Sequence, residues 1–333
     1  MKKKCSTILS ICLICALAIS CRPTPSLSAK LDDYLERLER VTEVSLKRLP
    51  VEPLVTYPER RELFKPRADI RLSVLDIVEL RQCDFLYRVA QGHSGLGKVM
   101  PDEHRLIYEA ELLPAMRDCV QSLSESTAEN LVSLIDQKRR DWPNLYWNAV
   151  YANVALQKHF SQFDTPLLDD EMSPELVDAL ALLTNPERLA TLNSSEQIDN
   201  ALQRLNEQHF GGRLLSALML ANRRLQEANY ILSVALSTRA LCPQQTKTPR
   251  AEIAFNVLSH YMQELQPVFA SYQRNIAHYR ATLATGEEGP RAYAKWYQET
   301  FSETGVASEF LQNQLQHAKL WQRWLADCGL VPT

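Results

Sequence analysis

The sequence predicts an all-α protein, a multi-helix bundle with long antiparallel helices. Glycine supplies only 9 of 333 residues, against an ordinary usage of roughly 7%. The alternation of polar and β-branched residues that is typical of strands is almost absent. Apolar residues instead recur alternately every four and three positions, which is the period of a helix-bundle seam. The clearest such series is Leu214, Leu218, Ala221, Leu225, Ala228, Leu232 and Ala235.

Residues 1–20 are predicted to be a signal peptide. Three lysines at positions 2–4 precede an apolar stretch, residues 8–19, of about a dozen residues, which is shorter than the roughly 20 that span a bilayer. Ala18 to Cys21 is similar to a bacterial lipobox, in which the cysteine receives acyl chains such as palmitate. An ordinary cleaved signal or an uncleaved anchor is the alternative. The sequence therefore predicts lipidation at Cys21.

The residues after Cys21 bear on where the mature protein resides. Residues 21–30 are predicted to be a lipidated tether, kept extended by its prolines. Arg22 follows the acceptor cysteine, where Asp is the usual inner-membrane retention signal. We therefore expect the protein in the outer membrane, lipid-anchored and facing the periplasm, with residues 31–333 as one all-helical periplasmic domain.

The charge of the mature chain argues against nucleic acid as a partner. Removing residues 1–20 leaves 34 basic and 40 acidic side chains, a formal charge of −6. Nucleic-acid binding depends on clustered Lys and Arg that release counterions. The dense basic run, residues 138–140, is flanked by acids and is read as a solvated helix face.

The first third of the domain is predicted to contain three helices and a proline-rich surface strap. The first helix runs from Leu31 to Pro50, on the apolar spacing of 31, 35, 38 and 41. Residues 50–68 carry four prolines and form the strap, in which 57–61 is either a recognition strip or a packed connector. A helix over 69–91, with Phe85 and Val89 inward, stops at Gly92, and the next begins near 102.

Helix starts further along are marked by capping patterns. Capping boxes are predicted at Ser126 and Ser194, and a cap followed by proline at Ser173 and Thr248. A helix over 250–283 carries Ile253 inward with other apolar residues and kinks at 267. A glycine and proline break at 286–290 precedes two aromatic-bearing helices that finish near residue 328. A possible internal boundary lies at 163–173.

Four cysteines remain after removal of the signal and the lipidated residue. They are Cys83, Cys119, Cys242 and Cys328. An even number in an oxidising compartment is compatible with two disulfides and three connectivities. We favour Cys83 with Cys119 and Cys242 with Cys328.

No pattern in the sequence predicts catalysis, a metal or a cofactor. The segment Gly92-His-Ser-Gly-Leu-Gly97 misses the hydrolase nucleophile elbow by one residue and lies between helices. The seven histidines lack metal-binding spacing. Neighbouring acids such as 102–103 point in different directions on a helix. The expected site therefore has no catalytic residue, no metal and no cofactor.

One segment resembles a known family. His93-Ser-Gly-Leu-Gly-Lys-Val-Met-Pro101, followed by His104 to Glu109, is similar to the best-marked part of an uncharacterised family of gammaproteobacterial lipoproteins, domain of unknown function 3080. The lipobox and the flanking Cys83 and Cys119 are similar too. The resemblance implies a periplasm-facing lipoprotein and no particular activity.

Together these features predict a binding or scaffold lipoprotein of the Gram-negative envelope. The expected partner is an envelope protein or peptidoglycan, in addition to the membrane. The alternative is an envelope hydrolase acting on peptidoglycan or another polymer, with an acid such as Glu109 as general acid. A deep pocket with converging carboxylates favours the hydrolase, and a shallow polar groove favours binding. The predicted contact surface consists of His93, Ser94, Lys98, Arg105, Tyr108 and Glu109.

Overall fold

The computed structural model describes residues 25–67, 80–83, 85–161, 163, 165–168, 170–286, 289–326 and 328. Over these residues the regular structure is helical and no strand occurs, which confirms the all-α prediction. The predicted signal peptide, Cys21 and Arg22 lie outside them. None of the helices in this part of the chain is long and apolar enough to cross a bilayer.

The α-helices are numbered here in chain order. They are α1 (Leu27–Thr42), α2 (Arg60–Leu63), α3 (Phe85–His93), α4 (Gly95–Lys98), α5 (Asp102–Cys119), α6 (Glu125–Val150), α7 (Val154–Ser161), α8 (Pro174–Leu183), α9 (Pro186–Leu189), α10 (Glu196–Gln208), α11 (Phe210–Thr238), α12 (Pro249–Glu264), α13 (Gln266–Leu283), α14 (Arg291–Thr300) and α15 (Val306–Ala326). Short 3₁₀ turns occupy Leu80–Gln82, Val120–Ser122, Pro243–Gln245 and Ala284–Gly286.

Helix α11 forms the centre of the main core. It packs against α15, α1 and α7. Every residue of the predicted seam from Leu214 to Ala235 is buried, which confirms that series. Leu167 and Met172 are buried in the same core, so the segment 163–173 packs onto the main body.

Helix α1 begins and ends earlier than predicted. The Ser26 hydroxyl accepts from the amide of Ala29, and Leu27 is buried, so the helix includes part of the predicted tether. The helix ends at Thr42, well before Pro50. The guanidinium of Arg250 donates to the carbonyls of Val41 and Thr42 at 2.7 and 2.6 Å. These bonds satisfy carbonyls that the helix leaves open at its end.

The chain between α1 and α2 has no helix or strand and is fixed by buried polar groups. The amide of Leu49 donates to Glu227, whose side chain is fully buried and also pairs with Arg48. Tyr57 is 3% exposed and donates to the carbonyl of Tyr151 at 2.8 Å. Residues 57–61 were predicted to be either a recognition strip or a packed connector. The buried Tyr57 supports the packed connector, because it anchors this segment to the main core.

A second, smaller core adjoins the main one, and Trp142 packs against both. It is formed where α3, α5 and α6 meet. Helix α6 has 26 residues, about 39 Å at 1.5 Å per residue. Its first half contributes Leu131 and Leu134 to the small core, and its second half contributes Leu145 and Val150 to the main core. Helix α5 likewise contributes Ile107 to the main core and Leu112 to the small core, so α5 and α6 together join the two cores.

Several predicted helix boundaries are confirmed and others are wrong. Ser173 and Thr248 cap α8 and α12 as predicted. The capping box at Ser126 is wrong, because α6 already begins at Glu125, and the box at Ser194 is wrong by one residue, because Ser195 occupies the N-cap of α10. The first part of the helix predicted over 69–91 falls within residues 68–79, which lie outside the described chain. From Leu80 the structure describes a 3₁₀ turn, which precedes α3. Gly92 does not end α3, which continues to His93.

The predicted kinked helix over 250–283 is two helices. The break falls at Leu265, and Pro267 lies in the first turn of α13, where its missing amide costs no helical hydrogen bond. Val257 and Tyr261 are buried as expected. Ile253 is 55% exposed, so its inward assignment is wrong.

Both favoured disulfides are present. Cys83 and Cys119 are joined across the small core, with their Cα atoms 5.7 Å apart. Cys242, which follows α11, is joined to Cys328 after α15, with a Cα separation of 5.2 Å. The second bridge ties the C-terminal end of the described chain to the central helix of the main core.

Candidate functional site

A cavity of about 600 Å³ lies where the two cores meet. We call it the junction cavity. Its walls come from the chain after α2, from α3 and α4, and from facing sides of α5 and α6. The lining residues are Phe64, Pro66, Arg67, Val89, Gly92, Lys98, Arg105, Tyr108, Glu109, Leu112, Met116, Leu134, Lys138, Asp141, Trp142 and Leu145.

The short helix α4 forms one wall because two glycines let the chain fold back closely. A Cβ on Gly92 would lie 2.5 Å from the hydroxyl of Tyr108. A Cβ on Gly97 would clash with the carbonyl oxygens of Gln91 and Gly92. Gly95 has no atom within 4 Å of such a Cβ. The first and last glycines of this segment are therefore required by packing, and the middle one is not.

Ser94 stabilises this fold-back. Its hydroxyl donates to the carbonyl of Gln91 at 2.7 Å and accepts from the amide of Gly97 at 3.0 Å. Such an N-cap bond is worth about 1 kcal/mol. Ser94 lies outside the lining of the junction cavity, so the structure gives it a capping role.

Arg105 and Lys98 place two cationic groups at the same wall. The Arg105 guanidinium donates through Nη2 to the carbonyl of Gly97, the residue before Lys98. Arg105 Nε is buried and has no hydrogen-bond partner in the described part of the chain. Neither residue forms an ion pair with any described acid. Lys98 is exposed.

The other two cations of the junction cavity are paired with carboxylates. Lys138 contacts both carboxylate oxygens of Glu109, at 2.7 and 2.8 Å, and both side chains are largely buried. Arg67 pairs with the buried carboxylate of Asp102 at 3.2 Å, and Arg60 pairs with the same carboxylate at 2.8 Å. Lys98 and Arg105 are therefore the cations of the lining that have no acidic partner in the described chain.

Tyr108 presents a neutral phenol. Burial, with a smaller contribution from the charge of Glu109, raises the pKa of Tyr108 to about 12. Its hydroxyl donates to the carbonyl of Arg88 at 3.0 Å. At neutral pH the Tyr108 side chain is therefore uncharged, and its bond to Arg88 holds it in place against the cavity.

The floor of the junction cavity is apolar. Leu112, Met116, Leu134 and Leu145 are each less than 9% exposed and contribute to this floor. The half-buried indole of Trp142 lies beside them. The cavity thus combines an apolar interior with charged groups from α4 and α5.

Four of the six residues predicted for the contact surface meet in this cavity: Lys98, Arg105, Tyr108 and Glu109. The backbone of His93 ends α3, but its side chain lies outside the described set. Sequence reasoning missed Arg67, Lys138 and Trp142. Lys138 was read as part of a solvated face, whereas its side chain is only 17% exposed.

The histidines show no metal-site geometry in the described residues, where no cluster of three or more possible ligands occurs. His159 and His317 are fully buried, and each is bonded to a tyrosine hydroxyl at 2.7 Å. These two belong to the main core and lie away from the lining of the junction cavity.

A family model described as a protein of unknown function, DUF3080, matches residues 31–332. No curated protein matches the chain. No solved structure matches it either.

Proposed function

Because the chain belongs to the DUF3080 family of proteins of unknown function, we propose a function from its own residues. We propose that it is a lipid-anchored binding or scaffold protein of the Gram-negative envelope, and that the junction cavity is its binding site. The expected partner is an envelope protein, peptidoglycan or another envelope component. A mature charge of −6 counts against nucleic acid.

The proposed location depends on the N-terminal sequence and on the cysteines. The lipobox-like residues before Cys21 favour acylation, and Arg22 favours the outer membrane, facing the periplasm. Two disulfides are consistent with an oxidising compartment. Two or more acyl chains would hold the protein on the membrane, because each buried methylene contributes about 0.8 kcal/mol.

One observation carries the assignment of a binding role. Lys98 and Arg105, both without an acidic partner in the described chain, meet at a cavity whose volume falls in the range of small-molecule sites, about 300–1,000 Å³. Cations that are not neutralised by the protein favour an external anion. The apolar floor beside these two cations distinguishes the cavity from a solvated patch of surface charge.

The hydrolase alternative has one observation in its favour. The junction cavity is sizeable and contains two carboxylates, Glu109 and Asp141. However, both oxygens of Glu109 are bonded to Lys138, so the proposed general acid would first have to break its ion pair. We therefore place binding ahead of hydrolysis. Release of soluble fragments from isolated peptidoglycan, abolished by Glu109→Gln, would reverse this order.

The binding role can be tested by placing a photoreactive benzoylphenylalanine at Phe64 in the full chain in cells. Phe64 lines the junction cavity and is 41% exposed. Phe255 on α12 is 40% exposed and lies outside the cavity, so it is the matched control position. We expect a discrete adduct from position 64, absent from position 255 and reduced by Lys98→Gln. Equal labelling at the two positions, or none at 64, would contradict the proposal.

A further inference from the structure

We propose that the junction cavity binds an anionic amphiphile, a molecule with one carboxylate or phosphate group carried on an apolar chain or ring. This inference rests on the proposed binding function and specifies its ligand class. It follows from the division of the cavity into an unneutralised cationic wall and a buried apolar floor.

The cationic wall fits a single oxyanion. Lys98 offers an ammonium, which can donate three hydrogen bonds. Arg105 offers a guanidinium whose Nε is buried without a partner in the described chain. Guanidinium groups bind carboxylate and phosphate oxygens in a planar, two-point geometry. An oxyanion on this wall would accept from the guanidinium donors that the bond to Gly97 leaves open.

The remaining charges limit how much anion the cavity accepts. Lys138 is occupied by Glu109, and Arg67 shares the carboxylate of Asp102 with Arg60. Asp141 is a further acid in the lining. Lys98 and Arg105 thus offer two positive charges, which suit one oxyanion better than an extended polyanion.

The apolar floor requires the rest of the ligand to be apolar. Leu112, Met116, Leu134 and Leu145 present hydrocarbon to the interior. Trp142 adds an indole that can lie against a chain or a ring. A small hydrophilic anion would leave this surface in contact with water, whereas an amphiphile would bury it, which is favourable for apolar surface.

The test measures calorimetric binding of defined probes to the purified full-length chain, below the concentrations at which the probes form micelles. The probes are dodecanoate, dodecyl phosphate, acetate, inorganic phosphate and the neutral dodecyl maltoside. We expect the two dodecyl anions to bind, and the two small anions and the neutral amphiphile to bind at least about tenfold more weakly. Tighter binding of dodecanoate would indicate a fatty-acid-like ligand. Tighter binding of dodecyl phosphate would indicate a lipid phosphate.

Two variants locate the binding. Lys98→Gln should weaken both dodecyl anions by about tenfold, since a hydrogen bond to a charged group is lost. Lys319→Gln removes the same charge from an exposed position on α15, outside the lining, and should leave affinity unchanged. Equal affinity of wild type and both variants would overturn the inference, as would equal binding of dodecyl maltoside.

The two experiments also distinguish a failure of this inference from a failure of the proposed binding function on which it rests. An adduct at Phe64 in cells, combined with no binding of either dodecyl anion, would overturn the ligand class and leave the binding function standing. No adduct at Phe64 would contradict the binding function itself.

Discussion

Acidification from pH 7 to pH 5 should destabilise the fold through His159 and His317. Both side chains have no exposed surface. His159 contacts the hydroxyl of Tyr279 at 2.7 Å, and His317 contacts that of Tyr34 at the same distance. Burial lowers the pKa of each histidine from 6.5 to about 3. Each imidazole is therefore neutral in the folded protein at both pH values.

The sign and size of the effect follow from proton linkage. Because the folded pKa lies below the unfolded value of 6.5, the unfolded chain binds more protons between about pH 3 and 6.5. The stabilisation is complete above pH 6.5 and falls as the pH falls. Between pH 7 and 5 each histidine should cost about 2 kcal/mol of unfolding free energy, or about 4 kcal/mol together.

Urea unfolding at pH 7, 6 and 5 measures this loss directly, through the extrapolated free energy of unfolding. His317→Gln should remove about half of the pH dependence, whatever it does to stability at pH 7. His278→Gln changes an exposed histidine and should leave the pH dependence unchanged. A free energy of unfolding that is constant to within about 1 kcal/mol from pH 7 to 5 would refute the reasoning.

Three further outcomes are expected. Cys21→Ser should abolish incorporation of an acyl analogue and release the protein from the outer-membrane fraction. Equal labelling of wild type and variant would contradict the prediction that Cys21 is the lipid anchor. Gly97→Ala should lower the free energy of unfolding by about 1–3 kcal/mol through overpacking, whereas Gly95→Ala should change it by less than about 1 kcal/mol; similar effects would contradict the packing argument. The unreduced, denatured mature protein should show no reactive thiol, peptide mapping should recover the Cys242 to Cys328 bridge, and reduction should cost about 2–4 kcal/mol per bridge; one equivalent of alkylation would disprove the pairing.

The sequence was most informative where helix periodicity alone determines burial. The seam from Leu214 to Ala235 could be predicted because a central helix with one apolar face must bury that face. Ile253 shows the limit of the same argument. It follows the apolar period of α12, but it lines a surface groove beside the polar side chains of Arg37 and Arg40 on α1, and it is 55% exposed.

Helix ends depended on contacts that sequence spacing does not reveal. Helix α1 ends at Thr42, where Glu43 is left-handed and Arg250, 208 residues further along, donates to the last carbonyls. The residues after Thr42 contain no proline or glycine before Pro50, so local rules continued the helix to that point. The contact between Arg250 and these carbonyls is tertiary, so local spacing rules do not reveal it.

The junction cavity was half predictable for a similar reason. Lys98 to Glu109 are close in sequence and were assigned together. Lys138 and Trp142 come from α6, and sequence reasoning missed them. The position of Lys138 beside Glu109 could have been found by aligning α5 and α6 as an antiparallel pair. Glu109 lies 14 residues before Leu123, and Lys138 lies 14 residues after Ser124. Equal distances from the connection place two residues level in an antiparallel helix pair, because both helices rise by the same amount per residue.

The start of α1 at Leu27 limits how far an acylated protein could stray from its membrane. Leu27 lies six positions after Cys21, and a fully extended chain covers at most about 3.5 Å per residue. With acyl chains on Cys21, the first helical turn could stand no more than about 20 Å from the lipid-embedded residue. The body would then diffuse in two dimensions along the bilayer surface, and the molecules it meets most often would be those entering or leaving that surface.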